Sequence, residues 1–179
     1  MLLMDKTCSS DSYFKLGLNY LLTPEFIKNE KIHVIDMETV NILDIKDILP
    51  EGEILIFFAS NDVDYYIASS LFEFENIKII YRKCFWNDFL SCVIAGDEQC
   101  YYSVRYKLSE KEISFLFYLF SDLNNKGIME ELNIPIKMFH TRKQTLIRKL
   151  QLKNRFDLYY YISKYKRSDF SGGKLTNSF

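Results

Sequence analysis

Asn124-Asn125-Lys126-Gly127-Ile128-Met129-Glu130-Glu131-Leu132-Asn133-Ile134-Pro135-Ile136-Lys137-Met138-Phe139-His140 is the stretch that decides the fold of this chain. Asp122 to Asn125 reads as a break and a fresh N-cap, since short polar side chains satisfy the open N–H groups of a first turn. A short helix over Lys126–Leu132 follows, with Ile128 and Leu132 inward. Asn133-Ile134-Pro135 is a turn, because Pro suits the start of a helix and not its interior. From Lys137 to Leu150 the pattern is one long helix that buries Phe139, Leu146 and Leu150, at spacings of seven and four.

Upstream, Ser109-Glu110-Lys111-Glu112 is a capping box that opens another helix, with Ile113, Leu116, Phe117 and Phe120 on one side. Downstream, Asn154 caps a last helix running to about Lys166. Four helices are predicted, the second and third forming a short-helix, tight-turn, long-helix pair. That arrangement is a helix-turn-helix, whose second helix enters the major groove of DNA. The expected recognition helix is also the basic one. Residues 137–167 hold ten Lys/Arg and a single acid, Asp157.

The first half has another texture. Ile32-His33-Val34-Ile35, Ile54–Ala59 and Ile77-Lys78-Ile79-Ile80-Tyr81 are short β-rich runs, the second apolar throughout, as a strand buried on both faces would be. Helical patterns lie at Tyr13–Leu22, Tyr65–Phe74 and Trp86–Ile94. This alternation predicts a small parallel α/β sheet. The expected organisation is an α/β domain over residues 1–98, a linker over 99–106, an all-α domain over 107–167 and a flexible tail over 168–179.

The net charge of −1 conceals a reversal between the halves. Residues 1–106 carry 9 Lys/Arg against 17 Asp/Glu, a balance of −8, and residues 107–167 carry 13 against 6, a balance of +7. Such asymmetry implies two domains with different partners, the basic one facing a polyanion.

Several classes are excluded by composition. The longest apolar run, Ile54–Ala59, falls far short of the roughly 20 residues that a membrane helix requires. Met1–Met4 meets Asp5 at once, with no signal-peptide core, so a soluble, cytoplasmic protein is expected. Cys8, Cys84, Cys92 and Cys100 form no C-x-x-C pair, and His33 and His140 stand far apart. Neither a metal nor any other cofactor is expected, and the cysteines read as reduced thiols. There is no Gly-rich phosphate loop and no nucleophile–base constellation, so the chain does not read as an enzyme.

Leu108-Ser109-Glu110-Lys111-Glu112, Leu116, Asn125-Lys126, Ile128, Leu132, Ile134, Arg148-Lys149-Leu150 and Asn154-Arg155 fall in register with the LuxR-type (NarL/FixJ) DNA-binding domain. The chain resembles that family over about 60 residues, a third of its length, with no gap. It departs at Gly127, Met129 and Pro135, and Met138-Phe139-His140 stands in the family's threonine-valine-lysine stretch. The resemblance implies a DNA-binding transcription regulator. With Phe139, Leu146 and Leu150 inward, the base-reading candidates are His140, Thr141 and Gln144. The phosphate-binding candidates are Asn125, Lys126, Lys137, Arg142, Lys143 and Lys149.

The N-terminal half resembles a degenerate response-regulator receiver. Asp36, ending the Ile32–Ile35 strand, stands where that family has its phosphoacceptor, and Lys83 where it has its lysine. The acidic pair that would hold a divalent cation is reduced to Asp5 before Lys6, following a very short first strand, Met1–Met4. Met4-Asp5-Lys6-Thr7-Cys8 and Phe14-Lys15-Leu16-Gly17-Leu18 are similar to auxiliary regulators of the Rcs capsule type. Those pair an atypical receiver-like half, serving folding and dimerisation, with a LuxR-type half.

The resemblance therefore implies a phosphorylation-independent regulator that binds double-stranded DNA as a homodimer or with a partner regulator. Tyr159, Tyr160 and Tyr161 cannot all be buried internally, so at least one is a candidate dimer contact. Two other readings stay open: a response regulator phosphorylated at Asp36, and an interaction protein that heterodimerises without binding DNA.

Overall fold

The computed structural model describes residues 7–23, 31–49, 52–72, 76–96, 98 and 101–166. They belong to two compact units, within residues 1–104 and 105–179. The expected tail and the Met1–Met4 strand lie outside the described residues.

The first unit is a four-stranded parallel sheet in the order β1 (Thr7–Cys8), β2 (Ile32–Asp36), β3 (Ile54–Ala59), β4 (Ile77–Tyr81). Ile32 stands opposite Ile54, and Leu55 opposite Ile77. Every residue of β2 is buried, and all of β3 after Ile54. That is why both read as near-continuous apolar runs, since helices cover both faces of such a sheet. On one face Ile32, Val34, Ile56, Phe58 and Ile80 form a core with Leu18, Leu22, Phe89 and Cys92.

Local capping sets the helices. Asp11 accepts from the N–H groups of Tyr13 and Phe14 to start α1 (Ser12–Leu21). Asn41 caps a short α2 (Ile42–Ile45), which the sequence pattern did not reveal. Asn61 accepts from Val63 and Asp64, so α3 spans Asp62–Leu71 and begins earlier than periodicity alone suggests. The pattern over Trp86–Ile94 becomes α4 (Trp86–Leu90) and one wide helical turn, Ser91–Ala95.

Two expectations are corrected here. Tyr101 bridges antiparallel to Ile80, and the Tyr102 N–H donates to the Ile79 carbonyl at 2.8 Å. The Tyr102 hydroxyl also donates to Asp62 at 2.8 Å. Part of the expected 99–106 linker is therefore fastened to the sheet edge, and the boundary falls after Val104. Backbone pairing of so short a segment leaves no periodicity to read. Of the cysteines, Cys84 is a free thiol, but Cys92 is disulfide-bonded. Spacing carries no information about which thiols a fold brings within bonding reach. His33 is buried and pairs with Glu53 at 2.6 Å.

The second unit consists of α5 (Glu110–Phe120), α6 (Asn125–Glu131), α7 (Ile136–Lys149) and α8 (Arg155–Tyr165). Glu112 reaches back to accept the Ser109 N–H at 2.8 Å, closing the capping box. Asn124 caps α6 and Asn154 caps α8. Phe115, Leu116, Leu119 and Phe120 pack with Ile128, Phe139, Leu146, Ile147, Leu150, Leu158 and Tyr165, all buried. Phe115 meets Phe139 edge-on at 5.6 Å, and Phe120 meets Tyr165 at 5.7 Å. Ile113, Phe117 and Leu132, expected inward, are half-buried.

Among the described residues no helix is long and apolar enough to cross a membrane.

Candidate functional site

Helix α7 is delivered by a tight turn. The N–H of Asn133 donates to Glu130 and that of Ile134 to Met129, which closes the end of α6. Asn133 adopts φ 47°, the left-handed region that Asn tolerates better than most residues. Pro135 then leads into α7, and its carbonyl accepts from Phe139 at 3.0 Å.

The inward stripe of α7 is Phe139, Lys143, Leu146 and Leu150, at intervals of four, three and four. The outward side carries Lys137, His140, Thr141, Gln144 and Arg148, all exposed. Thr141 Oγ1 donates to the Lys137 carbonyl at 2.9 Å.

The six phosphate-binding candidates divide. Asn125 and Lys126 are exposed in the first turn of α6, where Lys126 lies 3.8 Å from Glu130. Lys137 is exposed, and Arg142 is half-buried with its guanidinium 5.9 Å from the Phe115 ring centroid. Lys143, by contrast, is 7% exposed. Its Nζ stands 4.6 Å over the Tyr159 ring and donates to the Tyr159 hydroxyl at 3.2 Å. Lys149 Nζ pairs with Glu112 at 2.7 Å and reaches the Lys107 carbonyl at 3.4 Å. Burial raises the Glu112 carboxyl, but the Lys149 and Ser109 hydrogen bonds outweigh it and hold the group below its ordinary range.

The burial of Lys143 was legible in principle, since four residues after Phe139 and three before Leu146 is an inward position. Arg148 was passed over by the same arithmetic, falling four residues after Gln144 on the open side.

The second cluster lies at the carboxyl ends of the strands, where ligands of α/β sheets commonly bind. Asp36 is fully buried. Its Oδ1 accepts from Arg82 Nε at 2.8 Å and from the Glu38 N–H at 3.2 Å. Its Oδ2 accepts from Ser9 at 2.8 Å, Thr39 at 3.0 Å and Arg82 Nη2 at 3.2 Å. Arg82 also reaches Asp11 at 3.1 Å and Glu38 at 2.8 Å. The Asp36 hydrogen bond, against burial, pushes the guanidinium still higher, and the charges of Asp36 and Glu38 add to this.

Arg82 thus holds the position by Asp36 for which the sequence suggested Lys83, and Lys83 is exposed. Side-chain alternation explains the difference: Asp36 is in phase with Ile32 and Val34, and Arg82 with Ile80, all on one sheet face. Lys83 is out of phase. Ser60, at the end of β3, donates to Glu38 at 3.0 Å. Asp5 and Lys6 lie outside the described residues, among which no group of three or more His, Cys, Asp or Glu could hold a metal ion.

No family model matches the chain, and no curated protein does. Among solved structures it is similar to two RcsB dimers bound to two parallel DNAs, with 16% identity, a TM-score of 0.49, and coverage of 88% of this chain and 96% of that one. It is likewise similar to the complex of the two-component response regulator RcsB with DNA, at 17% identity and a TM-score of 0.46, with the same coverage. RcsB from Salmonella enterica serovar Typhimurium, bound to promoter rprA with the phosphomimetic BeF3-, is also similar. There the identity is 17%, the TM-score 0.38, and the coverage 88% of this chain and 97% of that one.

Proposed function

We propose that this chain is a sequence-specific transcription regulator of the LuxR type that binds double-stranded DNA through a helix-turn-helix made of α6 and α7. The observation that carries this reading is the outward side of α7. His140, Thr141 and Gln144 are exposed together, with Lys137 and Arg148 exposed along the same side. Gln can bind adenine through two hydrogen bonds, and a cationic surround supplies phosphate affinity.

The phosphate contacts in this reading are Asn125, Lys126, Lys137, Arg142 and Arg148. Lys143 and Lys149 serve the unit's own packing. The α/β unit acts without phosphorylation, because Asp36 is enclosed and already neutralised by a guanidinium. One helix-turn-helix of this size grips a half-site weakly, so the working form is a homodimer or a pair with a partner regulator. Exposed Phe156, Tyr159 and Tyr160 on α8 suit such a contact. The place of action is the cytoplasm.

The test is retention of genomic DNA fragments by the purified protein across a salt series, with sequencing of what is kept. Paired half-sites whose retention weakens as salt rises support the reading. Unselective retention assigns specificity to a partner regulator. No retention at low salt replaces it with an interaction protein that heterodimerises without DNA.

A further inference from the structure

The start of α7 carries two side chains that neither the core nor the polar reading face accounts for. Ile136 is 62% exposed and Met138 is 44% exposed. Neither lies on the inward stripe of Phe139, Lys143, Leu146 and Leu150. Met138 and Thr141 are three residues apart, and Ile136 and His140 four, so each apolar residue adjoins a base-reading candidate on the helix surface.

Thr141 adds to this surface. Its hydroxyl hydrogen is committed to the Lys137 carbonyl at 2.9 Å. What it has left for a partner is an acceptor oxygen and a methyl group. Thymine is the one base that offers a methyl group in the major groove, and apolar side chains meet it by contact alone. Exposed Lys137 and Arg148 on the same helix make a polyanion the fitting occupant of this side.

We infer that Met138 and Thr141, neighbours three residues apart on one side of the helix, form an apolar pair that reads thymine 5-methyl groups, which makes Met138 a specificity-determining residue. The inference rests on the DNA-binding reading above and specifies what that site prefers. His140 and Gln144 supply hydrogen bonds beside this pair, so the preferred half-site contains thymines next to the hydrogen-bonded base.

The full chain is used to select duplexes from a randomised library. The retained duplex is then remade with deoxyuridine replacing single thymines, which removes one methyl and leaves base pairing unchanged. At one or two thymines per half-site, deoxyuridine weakens binding about three- to fourfold, the worth of one buried methyl. Met138→Ala weakens the thymine duplex by a similar factor and erases the deoxyuridine effect at one position. Thr141→Ser, which keeps the hydroxyl and loses the methyl, erases it at the neighbouring one.

Equal binding of thymine and deoxyuridine duplexes overturns the inference while leaving DNA binding intact. So does an undiminished deoxyuridine effect in both variants. A library from which nothing is retained overturns both this inference and the function it rests on.

Discussion

Arg82 Nε stands 2.8 Å from Asp36 Oδ1, and Nη2 of the same guanidinium stands 3.2 Å from Oδ2. The contact spans the sheet, from the end of β4 to the end of β2, and pairs a guanidinium with a fully buried carboxylate.

Asp36 is therefore expected to act as an internal anchor. Asp36→Asn keeps the shape and leaves Arg82 its contacts with Asp11 and Glu38, so it costs about 1.5–3 kcal/mol of stability. Arg82→Ala strands a buried charge and costs about 3–5 kcal/mol. Urea melts measure both. Asp36→Asn should bind DNA as the parent does, and acetyl phosphate should add no mass to either protein. A phosphorylated parent whose DNA affinity rises would sink this account.

The same division between packing and contact applies to the lysines of α7. Lys143→Met keeps the stem and removes the ammonium from its place over the Tyr159 ring. The expected result is a lower melting temperature with an unchanged salt dependence of DNA affinity. Arg148→Ala should do the reverse, reducing the slope of log affinity against log salt by about one while leaving the melt in place.

Base readers should change preference more than overall grip. Gln144→Ala and His140→Ala are each expected to cost about 1–3 kcal/mol on the selected duplex and to relax one base position. Selection repeated with each variant shows which position. If the preferred sequence stays as sharp as before, that side chain is not a reader.

Glu112 links acid sensitivity to the second unit. Its folded carboxyl lies below the ordinary value of 4.5 because Lys149 and Ser109 outweigh burial. A depressed carboxyl contributes stability that is fully present above the unfolded value and is lost as pH falls through the folded one. Thermal melts from pH 6 to pH 3 should therefore show a loss that Glu112→Gln lacks. Parallel curves for the two proteins would remove Glu112 from this role.

Much of the architecture is written in short-range signals. The three β-rich runs became strands because a covered parallel sheet requires apolar residues on both faces, and such runs are visible without knowing their partners. Ser109, Glu112 and Asn154 act on backbone groups within three residues of themselves, so their capping roles could be read directly. The inward stripe of Phe139, Leu146 and Leu150 on α7 follows from helical periodicity alone.

Partner choice for charged groups was less accessible. Spacing shows that Lys143 turns inward, but nothing in the neighbouring sequence names the partner of Lys143 or of Lys149. Tyr159 lies 16 residues from Lys143, and Glu112 lies 37 from Lys149. The hydrogen-bonded edge at Tyr101 and Tyr102 likewise depends on which strand happens to lie beside it.

Sequence by itself determined many of the local conformations: the strands β2, β3 and β4, the capped starts of α5 and α8, and the apolar residues of the inward side of α7. Those follow from backbone sterics and from burying apolar stripes, both of which act over a few residues. Only the tertiary structure decided which partner each inward charge meets. Whether Asp36 meets a phosphoryl donor or Arg82, and whether Lys143 meets a phosphate or Tyr159, depends on atoms brought within 3–4 Å from distant parts of the chain.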